Sequence, residues 1–364
     1  MKKLFIIIFV QLFLLTAHEG RLSGNDFTKE IIAHGKRPVK SPESIHSLNL
    51  HTYQSLGIGL NTDGVFSRDK NGQLRTNYKN EDFEIIRKAG FKHVRLTIRV
   101  PLMNEQKPDS ISIKDVEVIK SIVDEILANK LILVFNPVHA SKEFKKRLED
   151  EPGIQSAFIR FWGALSVCFS AYNSNSFIVE PFNEPHFKDA DNWYHLQEQL
   201  VKEIRKAMPA HTILVTPVTE TIAAVTNMKL LKDKNVMYSY HFYLPFELTH
   251  QGAAWTWKSF PQGYTYPNND WNSDRMRTDF FDPLHHWAQK NDISLYGGEF
   301  GVIKNADKAS RIKWLSDVVM HMKENKLAGA VWEFKKGDFS ILKPLTNSSD
   351  TVQFDNDFLN VLDL

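Results

Sequence analysis

Hydrophobic positions along the chain fall into short apolar runs separated by amphipathic stretches. The runs are 55–61 (SLGIGLN), 91–100 (FKHVRLTIRV), 131–138 (LILVFNPV), 177–183 (FIVEPFN), 212–217 (TILVTP), 236–243 (VMYSYHFY), 294–300 (SLYGGEF) and 329–334 (GAVWEF). Runs this short and this apolar read as strands covered on both faces. Between them, 78–89, 112–129, 153–170, 192–207, 219–232, 277–290 and 308–325 place apolar residues at helical spacing, and 354–362 predicts a last short helix. Gly90 follows the first helix in the C′ position, where a positive φ closes a helix. Pro101 and Pro185 mark strand ends, because proline brings no N–H to a ladder.

Strands that alternate with helices must pair in parallel through crossover connections. Eight such units close most simply into a single-domain (β/α)₈ barrel, an α/β fold, here assigned to residues 51–364. An open doubly wound sheet would carry a Gly-rich phosphate turn after an early strand, and 61–66 (NTDGVF) is not one. Residues 245–272 form a long loop dense in aromatic, Gly and Pro residues.

Residues 1–17 (MKKLFIIIFVQLFLLTA) have two lysines, then an apolar run too short to span a bilayer, then small residues. That is the pattern of a secretory signal peptide, so the mature chain is expected outside the cytoplasm, with 18–50 as a polar lead-in. An uncleaved N-terminal anchor is the alternative reading. No later stretch is apolar enough to cross a membrane. Charge is nearly balanced, 45 basic against 43 acidic residues, which offers no basic face to nucleic acid. Cys168 is the one cysteine and sits in an apolar helical stretch, so it reads as a buried inert thiol and no internal disulfide is possible.

In a barrel, side chains at the C-terminal strand ends share one mouth. Those positions hold Arg95, His139, Asn183, Glu184, His241, Tyr243, Glu299 and Trp332. Two glutamates from distant segments are the informative feature. Glycoside hydrolysis needs one carboxyl to protonate the leaving oxygen and another facing the oxocarbenium-like carbon. Two close carboxyls also predict a raised pKa for Glu184 beside an ionised Glu299.

The motifs FNEP (182–185), YHFY (240–243), GGEFG (297–301), VRLT (94–97) and VWEF (331–334) together resemble glycoside hydrolase family 5, the cellulase-like retaining β-glycanases. The resemblance implies Glu184 as acid/base and Glu299 as nucleophile. It also implies Asn183 on the sugar 2-hydroxyl, Arg95 and Tyr243 orienting Glu299, His241 lining the same subsite, and Trp332 as an aromatic floor. An ion pair of Arg95 with Glu180 inside the barrel is the structural alternative. His139 departs from the family pattern near strand three and reads either as a shifted site residue or as a loop histidine. The tryptophans and tyrosines of 245–272 could stack on a glycan or form a small core that pins the loop.

Neither a metal nor a cofactor is expected, since the sequence has no HxH, HExxH, cysteine pair or cofactor motif, and the missing GxSxG elbow disfavours a Ser–His–Asp hydrolase. The expected partner is a polysaccharide or oligosaccharide, with the chain acting as a monomer. The sequence therefore points to a retaining endo-β-glycanase acting on glucan or mannan. A catalytically silent carbohydrate-binding barrel and an exo-acting glycosidase are the alternatives.

Overall fold

A computed structural model describes residues 53–138, 140–335, 337–344 and 352–364. The signal-like segment, all of the lead-in 18–50 and His139 lie outside the described residues. Eight parallel strands close into a barrel: β1 Ile58–Thr62, β2 His93–Thr97, β3 Ile132–Asn136, β4 Phe177–Val179, β5 Ile213–Val215, β6 Val236–Phe242, β7 Ser294–Phe300 and β8 Ala328–Phe334. Each pairs with its neighbours in sequence, and β8 returns to β1 with Ile58 opposite Gly329. Closure leaves no open edge among these strands.

Burial explains the runs. Nearly every strand residue is covered, because helices pack outside while the strands also face one another across the barrel. The outer layer holds large side chains such as Trp162, Trp193 and Trp314. The inner layer is small: Val134, Ile178, Leu214 and Met237. At the N-terminal end the ring of His93 fills the interior, with Nε2 2.9 Å from the Tyr296 hydroxyl and Nδ1 2.9 Å from the Leu56 oxygen. Gly59 is required beside it, since a Cβ there would come within 2.2 Å of Nε2.

Several boundaries differ from the sequence reading for local reasons. Strand β4 stops well before Pro185. The Glu180 N–H still donates to the Phe135 oxygen at 2.9 Å, but Pro181 has no N–H to continue. Asn183 and Glu184 therefore sit on a loop, free of ladder geometry. A hairpin, Phe66–Arg68 with Leu74–Thr76, follows the Asp63-Gly64 turn and was not anticipated. Nor was the helix Lys142–Asp150, capped by Ser141, whose only buried side chain is Leu148. Seven of its nine residues are charged, and its apolar face is only Phe144, which packs on Phe158, and Leu148 one turn later, too few to mark a helix in the sequence. The helix expected over 219–232 shrinks to Ile222–Thr226.

Candidate active site

Arg95 is the hub of the barrel mouth. Its side chain is fully buried, and its guanidinium donates from Nε and Nη2 to Glu180 at 2.6 and 2.8 Å. From Nη1 it reaches Asn61 Oδ1 at 2.9 Å and Glu299 Oε1 at 2.7 Å, and from Nη2 it reaches Asn183 Oδ1 at 2.7 Å. A planar fork of fixed donors suits this multipoint binding, where lysine would not. The two expectations for Arg95 were alternatives, and both contacts are present. Pairing the buried cation with two carboxylates offsets part of the charge that would otherwise be costly to desolvate.

Glu299 is only 6% exposed and is held from its other side by the Tyr243 hydroxyl, which donates to Oε2 at 2.9 Å. Burial first, then the charges of Glu299 and Glu184, keep that phenol well above its ordinary pKa, so it stays a donor. His241 and Glu299 are register partners on β6 and β7. His241 fits because Gly298 carries no side chain: a Cβ there would lie 2.8 Å from Nε2. Its Nδ1 stands 2.8 Å from Glu184 Oε1 and 3.7 Å from Glu299 Oε2. One carboxylate oxygen from each glutamate and a His241 ring nitrogen lie within 4.8 Å of one another.

Electrostatics in this cluster depart from the sequence expectation. Burial does push Glu184 upward, but the hydrogen bond and positive charge of His241 outweigh it and hold the carboxyl well below the usual range. His241 responds in the opposite sense. Burial disfavours its charged form, yet Glu299 and the bond to Glu184 push it up to about 9. The neighbour that decides the ionisation of Glu184 is thus the imidazole, not the second carboxylate, because it is the group in hydrogen-bond contact.

Asn183, Arg95, His241, Tyr243, Glu184 and Glu299 are therefore brought together. Trp332 lies near the C-terminal end of β8, 8% exposed, packed with Ile303 and Phe339 and with the Arg99 guanidinium 5.8 Å over its ring. The Glu184–His241–Glu299 spacing could accommodate a cation. However, Arg95 already bonds Glu299 and the His241 nitrogen already faces Glu184, so the donor set is engaged by the protein's own positive groups.

Sequence reasoning missed Asn61, Glu220, His186 and Lys145. Asn61, buried on β1, not only receives Arg95 but donates to the Gly298 oxygen at 2.9 Å; as the polar end of an apolar run it could have been found. Glu220 lies on a loop read as helix and carries no motif. The aromatic loop divides between its two readings. Phe260, Tyr266 and Trp271 are buried, with Tyr266 donating to Asp317 at 2.7 Å, whereas Trp255 and Trp257 are 57% and 67% exposed. Trp255 touches the rings of His250 and Phe339, both of which pack on Tyr243.

Comparison with known proteins gives consistent matches. A family model described as Cellulase (glycosyl hydrolase family 5) matches residues 57–338. Endoglucanase C of Acetivibrio thermocellus is 29% identical over 331 residues, covering 79% of this chain and 93% of that protein. Cellodextrinase A of Ruminococcus flavefaciens is 27% identical over 275 residues, covering 72% and 81% respectively. Among solved structures, Cel5A of Thermotoga maritima in complex with cellobiose is similar with a TM-score of 0.76 at 28% identity, over 86% of this chain and 99% of that one. The same protein with mannotriose gives 0.75 at 28%, over 87% and 99%.

Proposed function

Because this chain belongs to glycosyl hydrolase family 5, we propose that it cleaves β-linked glucan or mannan internally and with retention of anomeric configuration, using Glu184 as acid/base and Glu299 as nucleophile. The observation that carries this reading is the close approach of the two carboxylates, whose oxygens come within 4.8 Å across His241. Retaining enzymes keep their carboxyls about 5–5.5 Å apart, whereas inverting ones need roughly 6.5–9.5 Å to seat a water.

Arg95 and Tyr243 hold Glu299 as an anion and aim it at the anomeric carbon. The acid proton starts on the His241–Glu184 pair. As substrate covers the site it crosses the 2.8 Å bond to Glu184 and passes to the glycosidic oxygen. The C1–O bond breaks while Glu299 forms an ester to C1. Glu184, again a carboxylate, then takes a proton from water as the water oxygen attacks C1 and the ester bond to Glu299 opens. The proton returns to the pair and the cycle balances. Since an arginine only donates, Asn183 must turn Oδ1 toward Arg95, and its Nδ2 is the end suited to donate to the sugar 2-hydroxyl.

The curated relatives are endoglucanases and a cellodextrinase, and the solved relative was crystallised with both cellobiose and mannotriose, which supports a substrate in the glucan or mannan class. Export through residues 1–17 and a monomeric state complete the reading, to be checked by N-terminal sequencing of the mature protein and by light scattering. The deciding experiment is NMR of the first-formed hemiacetal from soluble glucan and mannan oligosaccharides. A β-anomer appearing first is expected; an α-anomer would overturn double displacement.

A further inference from the structure

Beside Glu184 lies a second imidazole–carboxylate pair that the chemistry above does not use. His186 and Glu220 come from adjacent loops, after β4 and after β5. Nδ1 of His186 is 3.2 Å from the main-chain oxygen of Glu184, and Nε2 is 3.5 Å from Oε2 of Glu220. The His186 N–H also donates to the Val218 oxygen at 2.9 Å, so the two loops are tied at two points.

The main chain at this point is strained. Glu184 and His186 have φ of 48° and 57°, a left-handed region that residues with side chains rarely adopt. Such a conformation persists where surrounding contacts determine it. Here the His186 ring folds back onto the carbonyl of Glu184 itself.

Proton placement follows from the donors. A carbonyl oxygen only accepts, so Nδ1 of His186 carries hydrogen. A neutral ring then turns its Nε2 lone pair toward Glu220, and the contact is complete when the Glu220 carboxyl holds the proton. In the charged alternative the ring donates to an ionised carboxylate. Either way one proton is shared. Burial and the charge of Glu184 push Glu220 up to about 7, and burial pulls His186 down. The other charged groups facing the pair are His241 on β6, and Lys145 and Lys142 on the helix Lys142–Asp150.

We propose that His186 and Glu220 are positioning residues for Glu184: Glu220 fixes the His186 ring, and the ring clamps the left-handed peptide that carries the acid, so that its carboxyl meets the glycosidic oxygen. This rests on reading Glu184 as the acid/base. It also makes a prediction that a purely structural role does not, because an ill-aimed acid matters only when the leaving group needs a proton.

The test compares two aryl β-cellobiosides, or β-mannobiosides if those are preferred substrates. One has a dinitrophenyl leaving group that departs without protonation, and the other a phenyl group that does not. The ratio of kcat/KM values on one preparation is independent of how much protein folded. E184A is the control and is expected to lose about 10²–10⁴-fold more on the phenyl substrate. H186A and E220A are expected to lose about tenfold more on the phenyl than on the dinitrophenyl substrate, the scale of one hydrogen bond. E220Q can still bond Nε2 and should keep the ratio within about twofold of the parent, as expected for a geometric role. Equal losses on both substrates in H186A and E220A, or no loss, overturn the positioning role and leave the acid/base reading intact. An E184A variant without leaving-group dependence overturns both.

Discussion

Nδ1 of His241 lies 2.8 Å from Oε1 of Glu184, and the two side chains hold a single proton between them. The carboxyl is shifted below its ordinary 4.5 and the imidazole is raised from 6.5 to about 9. In the free enzyme the pair is thus an imidazolium and a carboxylate over most of the accessible pH range, so the proton that Glu184 would donate as the proposed acid is held one bond away.

Activity should therefore fall as pH rises through about 9, where His241 loses that proton. In H241A burial acts on Glu184 without its counterweight and raises the carboxyl, but not as far as an imidazole reaches. The basic limb of kcat/KM should move to lower pH by more than about one unit. A pH–rate profile with an unmoved limb would remove His241 from the proton inventory. For folding, the raised imidazole contributes fully below 6.5 and is lost as pH climbs through about 9. The lowered carboxyl contributes above 4.5 and is lost as pH falls. Unfolding in denaturant should show the pair's contribution greatest between those two ordinary values.

Replacing Glu299 or Glu184 by glutamine should each reduce kcat on an aryl β-glycoside by about 10³-fold or more. Azide should restore turnover of E184A with an activated leaving group and yield a β-glycosyl azide, since a small anion can attack the ester without a general base. Near-parental activity in either glutamine variant would dismiss the assignment.

Arg95 has no exposed surface and serves two buried carboxylates. R95M removes the cation and leaves Glu180 and Glu299 facing each other, which should cost about 3–5 kcal/mol in chemical denaturation. R95K restores charge but not the fork, so intermediate stability and low activity are expected. A loss below about 1 kcal/mol for R95M would contradict the hub role, since so small a change is typical of sites without buried charge.

The aromatic loop should separate into two behaviours. F260A empties a position that is 2% exposed and should destabilise by about 3–5 kcal/mol. W255A removes a ring that is 57% exposed and should alter stability by no more than about 0.5 kcal/mol. Its effect should instead be a higher KM for polymer than for a short aryl glycoside. Thermal melts and a paired KM measurement distinguish these outcomes, and an equal rise in both KM values would count against a platform role for Trp255.

Much of the architecture was legible in the chain because burial on both faces leaves a local trace. An apolar run such as 131–138 can hardly be anything but a covered strand, and the polar residues within or just after such runs, Arg95, Asn183 and Glu299, meet at one mouth of the barrel. The boundaries were less legible where a single backbone donor decides them, as at Pro181, and the helix Lys142–Asp150 was hidden because only Phe144 and Leu148 interrupt a run of charged residues.

Who bonds to whom left no such trace. The sequence alone determined the barrel and the polar residues at its mouth, which depend on residue type and on a periodicity of a few residues, and its motifs carried the resemblance to glycoside hydrolase family 5. Only the tertiary structure decided that Arg95 serves Glu180 and Glu299 together, that His241 rather than Glu299 governs the ionisation of Glu184, and that Glu220 comes to rest beside His186. Those relationships act over a few ångströms between strands far apart in the chain, and electrostatic and hydrogen-bond energies fall off so steeply with distance that no pattern along the chain records them.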